Sequence, residues 1–341
     1  MQNLLYITID KPYTGIGRYA TDMNKLTDYD ILQIVFKKES EDQYYKLRIN
    51  GKFKSQFMNY VDYFHYKSRM DKIRINYKML HIVSQTVNPF IMPKDIKKIV
   101  TIHDMIPFKI KNKNDYKYGT VMRFFIKKYV KYDNIISVSN HVKNDIINHF
   151  NVDGKNVTVI YPAVSEFFFN IPNKEQLRME LGLPIKKKLI LSISSNDKRK
   201  NLITVEKVMS KINGDYKLVR VGTNISNSIN FMNVDHEKLN KIYNACDLLY
   251  FPTLEEGFGY PVIEAFKTGL PVVSSNIDVI KEISKKSAYL VDPKNIEESI
   301  EGIYKVYENS YYYIRKGFEA SKFYSHESFK NKLINYYNNI Y

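Results

Sequence analysis

The sequence predicts an α/β protein built from two doubly wound parallel-sheet domains. Short runs rich in Val, Ile, Leu and Tyr alternate with helical stretches along the chain, and such near-continuous apolar strands are typical of parallel sheets covered on both faces. A length of 341 residues suits two domains of about 150 residues better than one core. The alternation also restarts after the proline-containing segment 161–187, which indicates a boundary between two domains.

Each predicted strand follows from an apolar run with flanking polar residues. The first series covers 3–9, 30–36, 79–84, 98–103, 134–138 and 156–160, and the second covers 188–194, 216–221, 247–251, 271–274 and 288–291. Between the two series, Asn173 is suited to cap a helix that ends near the LGLP sequence. We predict a first domain of 1–164 completed by a C-terminal helix at about 322–341, and a second domain of 165–321.

Composition restricts the partners without selecting one. The net charge of +16 favours nucleic acid, acidic lipid or phosphorylated small molecules, although a lysine-rich solvated surface would have the same charge. The single cysteine, Cys246, excludes an intramolecular disulfide and fits a reducing cytosol. No apolar run approaches the roughly 18 residues that span a bilayer, and MQNLLYITID resembles a first strand more than a signal peptide. We therefore expect a cytoplasmic protein.

The segment TLEEGFGYPVIEA, 253–265, places two glutamates around a predicted helix start. Gly257 and Gly259 allow a tight turn and close approach to a ligand. Pro261 suits the first helical position, where its missing N–H is not needed. A glycine loop before a helix-stabilising glutamate would give a similar pattern.

The amides that follow this proline predict an anion site. The N–H groups of Val262 and Ile263 would point out of the helix start, where a phosphate binds favourably. Glu256 and Glu264 would then stand on either side of that phosphate.

A basic turn, SSNDKRKNL at 194–202, follows the first strand of the second domain. Arg199 offers a planar fork for phosphate oxygens, and Lys198 and Lys200 offer mobile charges. An exposed basic turn would contain the same residues. Ligands of doubly wound sheets bind outside the carboxyl ends of strands, and this position favours a phosphate site.

The first domain offers two weaker candidates. TGIGRY, 14–19, contains Gly15 and Gly17 in either a close-approach loop or an ordinary tight turn, and lacks the third glycine of a dinucleotide fingerprint. TIHDMIP, 101–107, places His103 and Asp104 after a strand. A histidine there is either structural or a polar contact to a sugar.

Taken together, these motifs resemble the family 4 glycosyltransferases of the GT-B fold, also called group 1. The resemblance rests on TGIGRY, TIHDMIP, ISVSNHVKNDI, DKRKNL and PTLEEGFGYPVIEAFKTGLPVV, in the family's order and over nearly the whole chain, and Glu256 and Glu264 match its E-x7-E signature. It implies two Rossmann-like domains facing across a cleft. It also implies a hexosyltransferase that moves a sugar from a nucleotide-sugar to an acceptor with retention of configuration, without a metal ion or cofactor.

The resemblance also implies roles for individual residues. Glu264 would bind the ribose of the donor, and Glu256 would contact the donor sugar. Arg199 and Lys200 would hold the diphosphate, and His103 would reach the sugar from the first domain. The remaining donor-binding positions implied by the resemblance are Gly15, Gly17, Gly257, Phe258, Gly259, Tyr260, Pro261, Val262 and Ile263.

Two departures from the family pattern concern loop geometry. Ser192 or Ser194 stands where a glycine often follows the strand, and Pro162-Ala163-Val164 replaces Pro-Gly-Val. GDP-mannose is favoured over a UDP-sugar, since the HD-x-x-P and R-K-N sequences occur in mannosyltransferase-like members.

The acceptor is expected to be a glycan or a lipid-linked glycan. Residues 44–80 and 108–132 interleave Lys and Arg with aromatics, which predicts either a peripheral site for the anionic inner face of a membrane or amphipathic helices with buried aromatics. A catalytically silent nucleotide- or sugar-binding protein is the alternative function. Nucleic-acid binding and nicotinamide oxidoreduction are disfavoured because their sequence signatures are missing.

Overall fold

The computed structural model describes residues 4–8, 15–27, 30–35, 47–48, 77–109 and 116–340. The chain divides into two compact units. Unit 1 comprises Met1–Pro162 and Phe329–Tyr341, and unit 2 comprises Ala163–Ser328. The predicted boundaries, 164/165 and 321/322, differ from these by two and by seven residues.

The described part of unit 1 contains a parallel sheet with strand order β3-β2-β1-β4-β5-β6-β7. Its strands are β1 Leu4–Thr8, β2 Asp30–Val35, β3 Leu47–Arg48, β4 Met79–Ile82, β5 Lys97–Ile102, β6 Ile135–Ser137 and β7 Val157–Val159. Its helices are α1 Gly15–Thr27, α2 Ile106–Lys109, α3 Tyr116–Tyr129 and α4 Asn140–Phe150. The strand order reverses between β1 and β4, and the crevice of a doubly wound sheet forms at such a reversal.

Unit 2 repeats this architecture with strand order β10-β9-β8-β11-β12-β13, again with every pair parallel. Its strands are β8 Lys188–Ser194, β9 Tyr216–Gly222, β10 Ser228–Phe231, β11 Leu248–Phe251, β12 Val272–Ser275 and β13 Tyr289–Val291. Its helices are α5 Lys174–Glu180, α6 Leu202–Lys211, α7 His236–Ala245, α8 Tyr260–Thr268, α9 Asp278–Ser284, α10 Ile296–Glu308 and α11 Ser310–Ser321. The reversal falls between β8 and β11.

The sequence prediction of an α/β fold with two parallel sheets is confirmed. Each predicted strand has its counterpart within a few residues, and Asn173 caps α5 by accepting from the Gln176 N–H at 3.3 Å. Two short strands were not predicted, β3 and β10. The sequence of β10, SINF, is polar at two of its four positions and only half-buried, so its apolar signal is weak.

The last helix, α12 (His326–Ile340), packs on unit 1 through buried hydrogen bonds as well as apolar contacts. The Tyr337 hydroxyl lies 2.7 Å from His81 Nδ1, and His81 Nε2 lies 2.8 Å from the Thr101 hydroxyl. Burial lowers the pKa of His81 to about 3, so the ring is neutral and one of its nitrogens accepts a hydrogen bond. This arrangement holds the end of the chain on β4 and β5.

Candidate functional site

The two motifs of the second domain meet at the strand-order reversal of unit 2. The basic turn with Arg199 and Lys200 follows β8, and the glutamate loop with Glu256 follows β11. Because β8 and β11 are neighbours in a parallel sheet, their carboxyl ends bring the turn and the loop together. This is the position at which doubly wound folds bind ligands.

The basic turn is a short 3-10 helix, Lys198–Lys200, with defined caps at both ends. Asp197 accepts from the Arg199 N–H at 3.1 Å. Asn201 adopts the left-handed conformation with φ of 57° and donates to the carbonyls of Pro252, at 3.0 Å, and Pro293, at 2.7 Å. The turn is therefore fixed to the loops after β11 and β13.

Main-chain hydrogen bonds also join the turn to the glutamate loop. The Arg199 carbonyl accepts from the Leu254 N–H at 2.7 Å and from the Thr253 hydroxyl at 3.1 Å. In return, Arg199 Nη1 donates to the Glu255 carbonyl at 3.1 Å. These bonds set the position of the next residue in the loop, Glu256.

Glu256 is nearly buried, at 7% exposure, and receives three side-chain donors. Lys200 Nζ donates to its Oε1, Arg199 Nη1 donates to its Oε2 at 3.0 Å, and the Thr253 hydroxyl donates to Oε1 at 3.0 Å. Both cations assigned to a diphosphate by the sequence thus bind one carboxylate.

Electrostatics keep this carboxylate ionised. Burial raises the pKa of Glu256, but the adjacent charges of Lys200 and Arg199 outweigh burial and hold its pKa below the usual value. Glu256 is therefore an anion at neutral pH and is not suited to donate a proton.

Helix α8 begins one residue earlier than the sequence predicts, at Tyr260, so Pro261 occupies its second position. Gly259 precedes the helix in the left-handed conformation, with φ of 97°. A Cβ atom at Gly259 would lie 3.0 Å from Ile283 Cδ1, so both the backbone and the space require glycine.

The prediction that the Val262 N–H points out of the helix start is wrong, since this amide donates to the Gly259 carbonyl at 3.1 Å. The left-handed conformation of Gly259 directs its carbonyl toward the first turn of α8, where that carbonyl accepts the hydrogen bond from the Val262 N–H. The side chains of Val262 and Ile263 are both fully buried in unit 2.

Glu264 lies inside α8 with 2% exposure. Its Oε2 accepts from the Tyr243 hydroxyl at 2.7 Å. Tyr243, on α7, is itself fully buried, so Glu264 is held by a rigid partner. Residues 257–259 of the loop are buried too, and Tyr260 is half-buried. The Phe258 ring packs edge-on against Tyr260.

In unit 1, His103 follows β5 and is 8% exposed. Its Nε2 lies 2.7 Å from the Val83 carbonyl, which can only accept, so Nε2 carries a proton. The Tyr19 ring packs edge-on against the imidazole at 4.9 Å, and the Gln85 side chain accepts from the His103 N–H.

Asp104, the neighbour of this histidine, has a local structural role: its Oδ1 accepts from the Ile106 N–H at 3.1 Å at the start of α2.

Neither the close-approach loop nor the tight turn considered for TGIGRY is observed at its glycines. Gly15 and Gly17 are the first and third residues of α1. Gly17 is buried, and its carbonyl accepts from the Thr21 hydroxyl at 2.9 Å. Residues 9–14, which precede the helix, lie outside the described residues.

Three residues of the unit 2 site were not predicted: Thr253, Asn201 and Tyr243. Asn201 had a usable signal, because asparagine directly after a short helical turn favours the left-handed conformation. Thr253 and Tyr243 had none, because their roles depend on partners in other elements of the fold.

The comparisons with known proteins agree with this architecture. The family model described as "Glycosyl transferases group 1" matches residues 173–321, and the model "Glycosyltransferase Family 4" matches residues 37–166. The chain therefore belongs to the family 4, group 1 glycosyltransferases.

Curated relatives are similar over part of their length. The chain is 30% identical over 226 residues to the O-antigen chain mannosyltransferase RfbU of Salmonella typhimurium, covering 58% of this chain and 60% of RfbU. It is 27% identical to the uncharacterized glycosyltransferase MJ1607 of Methanocaldococcus jannaschii, covering 50% of each chain. It is 25% identical to the serotype-specific mannosyltransferase WbdA of Escherichia coli, covering 59% of this chain and 28% of WbdA. The alignments thus span about a quarter to three fifths of these relatives.

Solved structures share the fold at low identity. Sucrose-phosphate synthase from Thermosynechococcus elongatus superposes with a TM-score of 0.80 at 14% identity, over 100% of this chain and 99% of its own. Anabaena HepE, solved with UDP and glucose, gives 0.78 at 13% identity over 98% and 99%. WaaG, a glycosyltransferase of lipopolysaccharide biosynthesis, gives 0.75 at 14% identity over 97% and 98%. This protein therefore has the GT-B fold. Within the described residues, no helix is both long and apolar enough to cross a bilayer.

Proposed function

We propose that this protein is a retaining hexosyltransferase that moves a sugar from a nucleotide-sugar to a glycan or lipid-linked acceptor. The observation that carries the proposal is the cluster of Arg199, Lys200 and Glu256 at the carboxyl ends of β8 and β11, beside the helix that bears Glu264.

The leaving group accounts for the two cations. Departure of a nucleoside diphosphate places negative charge on phosphate oxygens, which fixed cations stabilise in a poorly solvated site. Arg199 and Lys200 are half-buried and fixed to their turn, so they can supply this charge without a metal ion or a cofactor.

The two carboxylates hold different parts of the donor. Glu264, in α8, accepts hydrogen bonds from the ribose hydroxyls. Glu256 contacts the donor sugar and stabilises the positive charge that develops at the anomeric carbon, since its lowered pKa keeps it ionised.

In unit 1, His103 is assigned a polar contact with the donor sugar, because it stands directly after β5, where a doubly wound sheet binds its ligands. Gly15 and Gly17, in the first turn of α1, line the part of the site that receives the acceptor and the phosphates. The loop Gly257–Gly259, with Tyr260 and Pro261 at the start of α8, forms the donor-side wall.

We assign GDP-mannose as the first donor to test and a UDP-sugar as the second. RfbU and WbdA, which are similar to this chain, are named mannosyltransferases, whereas HepE was solved with UDP. A thermal-shift panel of GDP-, UDP- and ADP-sugars tests the proposal. Stabilisation by one nucleotide class supports the proposal. If no nucleotide-sugar raises the melting temperature, the proposal is contradicted and the catalytically silent alternative is favoured.

For the acceptor side, we place the protein in the cytoplasm, at the anionic inner face of a membrane. The predicted segment 108–132 contributes five of the eight residues that line a groove of about 560 Å³: Phe90, Phe124, Lys127, Lys128, Val130, Lys131, Phe150 and Val152. Phe124 is 57% exposed and stacks on Phe90 at 5.3 Å. Exposed aromatics beside lysines suit an interfacial contact. Most of the other predicted segment, 44–80, lies outside the described residues.

Vesicle co-sedimentation tests this surface. The parent should bind vesicles with anionic headgroups at low salt, and replacing Lys127, Lys128 and Lys131 by glutamine should abolish binding. The matched control replaces Lys207, Lys294 and Lys330, three exposed lysines elsewhere. Equal binding by both triple variants, or no binding by the parent, would remove this surface from the account.

A further inference from the structure

Arg220 is a buried arginine on β9 that none of the assignments above uses. It pairs in register with Ser192 on β8, and its side chain is fully buried, the largest such side chain in the described residues. Arginine is rarely buried to this extent unless a counter-charge accompanies it.

All hydrogen bonds from its two terminal nitrogens, Nη1 and Nη2, go to neutral oxygens. Nη1 donates to the Ser192 carbonyl at 2.9 Å and to the Val221 carbonyl, and Nη2 donates to the carbonyl of Ser194 and to its hydroxyl, at 2.9 Å. In the part of the chain that the structure describes, no carboxylate pairs with Arg220, and its Nε has no hydrogen-bond partner. Among the described residues, therefore, no acidic side chain neutralises the guanidinium charge.

This charge persists at neutral pH. Burial lowers the pKa of Arg220 to about 10, which still leaves the side chain protonated at pH 7. A buried charge without a counter-ion is strongly destabilising, and an apolar side chain of similar volume would avoid this penalty. An anionic ligand nearby would offset it.

The position of Arg220 in the sheet indicates which anionic ligand would offset its charge. Ser194 is the last residue of β8 and stands three residues before Asp197, which begins the turn bearing Arg199 and Lys200. Gly222, opposite Ser194, has φ of 110°, and a Cβ atom there would lie 2.2 Å from the Ser194 carbonyl oxygen. The β9 backbone and Arg220 thus both fix the end of β8 from which the basic turn departs.

We propose that Arg220 is a positioning residue of the diphosphate site: it fixes the carboxyl end of β8 and adds a buried, uncompensated positive charge behind Arg199 and Lys200. This inference rests on the proposed function. It extends the site to a residue that does not touch the ligand.

Calorimetric titration with inorganic pyrophosphate tests the charge directly. Arg220→Met removes the charge and keeps the apolar bulk, and we expect its pyrophosphate affinity to fall about tenfold, the scale of one charge acting through protein. Lys217→Met is the matched control, because Lys217 lies on the same strand but bonds to Asn227 at the surface. Parent-like affinity in a folded Arg220→Met variant would overturn the inference.

A second variant separates charge from shape and serves if Arg220→Met does not fold. Arg220→Lys keeps the charge, but a buried lysine has a depressed pKa and becomes neutral within an accessible pH range. The groups that accept hydrogen bonds from Arg220 are main-chain carbonyls and one serine hydroxyl of β8 and β9, which do not titrate there. We expect the ratio of parent to Arg220→Lys affinity to increase between pH 7 and about 9. A ratio that stays constant with pH would show a purely structural role.

Failure of this inference is distinguishable from failure of the proposed function. If the parent binds nucleoside diphosphate and pyrophosphate but Arg220→Met matches it, only the role of Arg220 is wrong. If the parent binds neither anion, the diphosphate site and the role of Arg220 are both wrong.

Discussion

Lys200 Nζ donates to Oε1 of Glu256 where the carboxyl ends of β8 and β11 lie side by side. The pair joins a basic turn to an acidic loop that are 56 residues apart in the chain. A diphosphate that binds Lys200 therefore shares this cation with Glu256 or displaces the carboxylate from it. The first two predictions concern this competition.

Replacing Lys200 by alanine should lower turnover by about 10- to 150-fold, because one charge-assisted hydrogen bond to the leaving group contributes about 1.5–3 kcal/mol. Steady-state kinetics with the responsive donor measures the effect. Lys198→Ala is the matched control, since Lys198 belongs to the same turn but is exposed. Equal turnover in both variants would exclude Lys200 from leaving-group stabilisation.

Replacing Glu256 by glutamine should have opposite effects on binding and turnover. Turnover should fall, because the anion beside the anomeric carbon is lost. Pyrophosphate affinity should rise about three- to tenfold, because Arg199 and Lys200 no longer share a carboxylate. Calorimetry measures the affinity, and a decrease would mean that Glu256 mainly orients these cations for the ligand.

The acid stability of the protein should depend on Glu256. Its folded-state pKa lies below the usual value, so its contribution to stability is complete above the unfolded pKa, about 4.3, and is lost as pH falls through the folded pKa. The difference in melting temperature between the parent and Glu256→Gln should be constant from pH 8 to about 5 and should shrink below about 4.3. A difference that grows in acid would contradict the lowered pKa.

Replacing Gly259 by alanine should destabilise unit 2 by about 1–3 kcal/mol, since alanine is strained at a positive φ and its Cβ would press on Ile283. Thermal unfolding measures the loss. Gly214→Ala is the control, because Gly214 has neither a positive φ nor a neighbour within 4 Å of an added Cβ. Equal melting temperatures for the two variants would show that the loop relaxes around the added methyl group.

Much of the fold was predictable from the sequence because strand signals are local. The apolar runs of β8 and β11 each identify a strand, and the residues after them are candidates by topology alone. The pairing of Glu256 with Lys200 was not predictable from spacing, because it depends on two strands becoming neighbours across the sheet.

Other features could not be predicted from the sequence, for specific physical reasons. The glycines of TGIGRY suggested a turn, yet both stand in α1, since glycine tolerates a helix as well as a loop. The Val262 amide was expected to point outward, but it is bound by the carbonyl that the left-handed Gly259 presents. Arg220 had no sequence signal at all, because an arginine in an apolar strand looks like an outward-facing residue until its burial is known.

Calorimetric binding of GDP and UDP to the parent and to Glu264→Ala tests the central claim most directly. Tyr243→Phe is the control, because it removes the donor to Glu264 but keeps the carboxylate. The account predicts that the parent binds one of the two nucleotides, that Tyr243→Phe retains most of this affinity, and that Glu264→Ala weakens binding about 10- to 150-fold while its pyrophosphate affinity is unchanged. Binding of neither nucleotide by the parent, or parent-like nucleotide affinity in Glu264→Ala, would contradict the account.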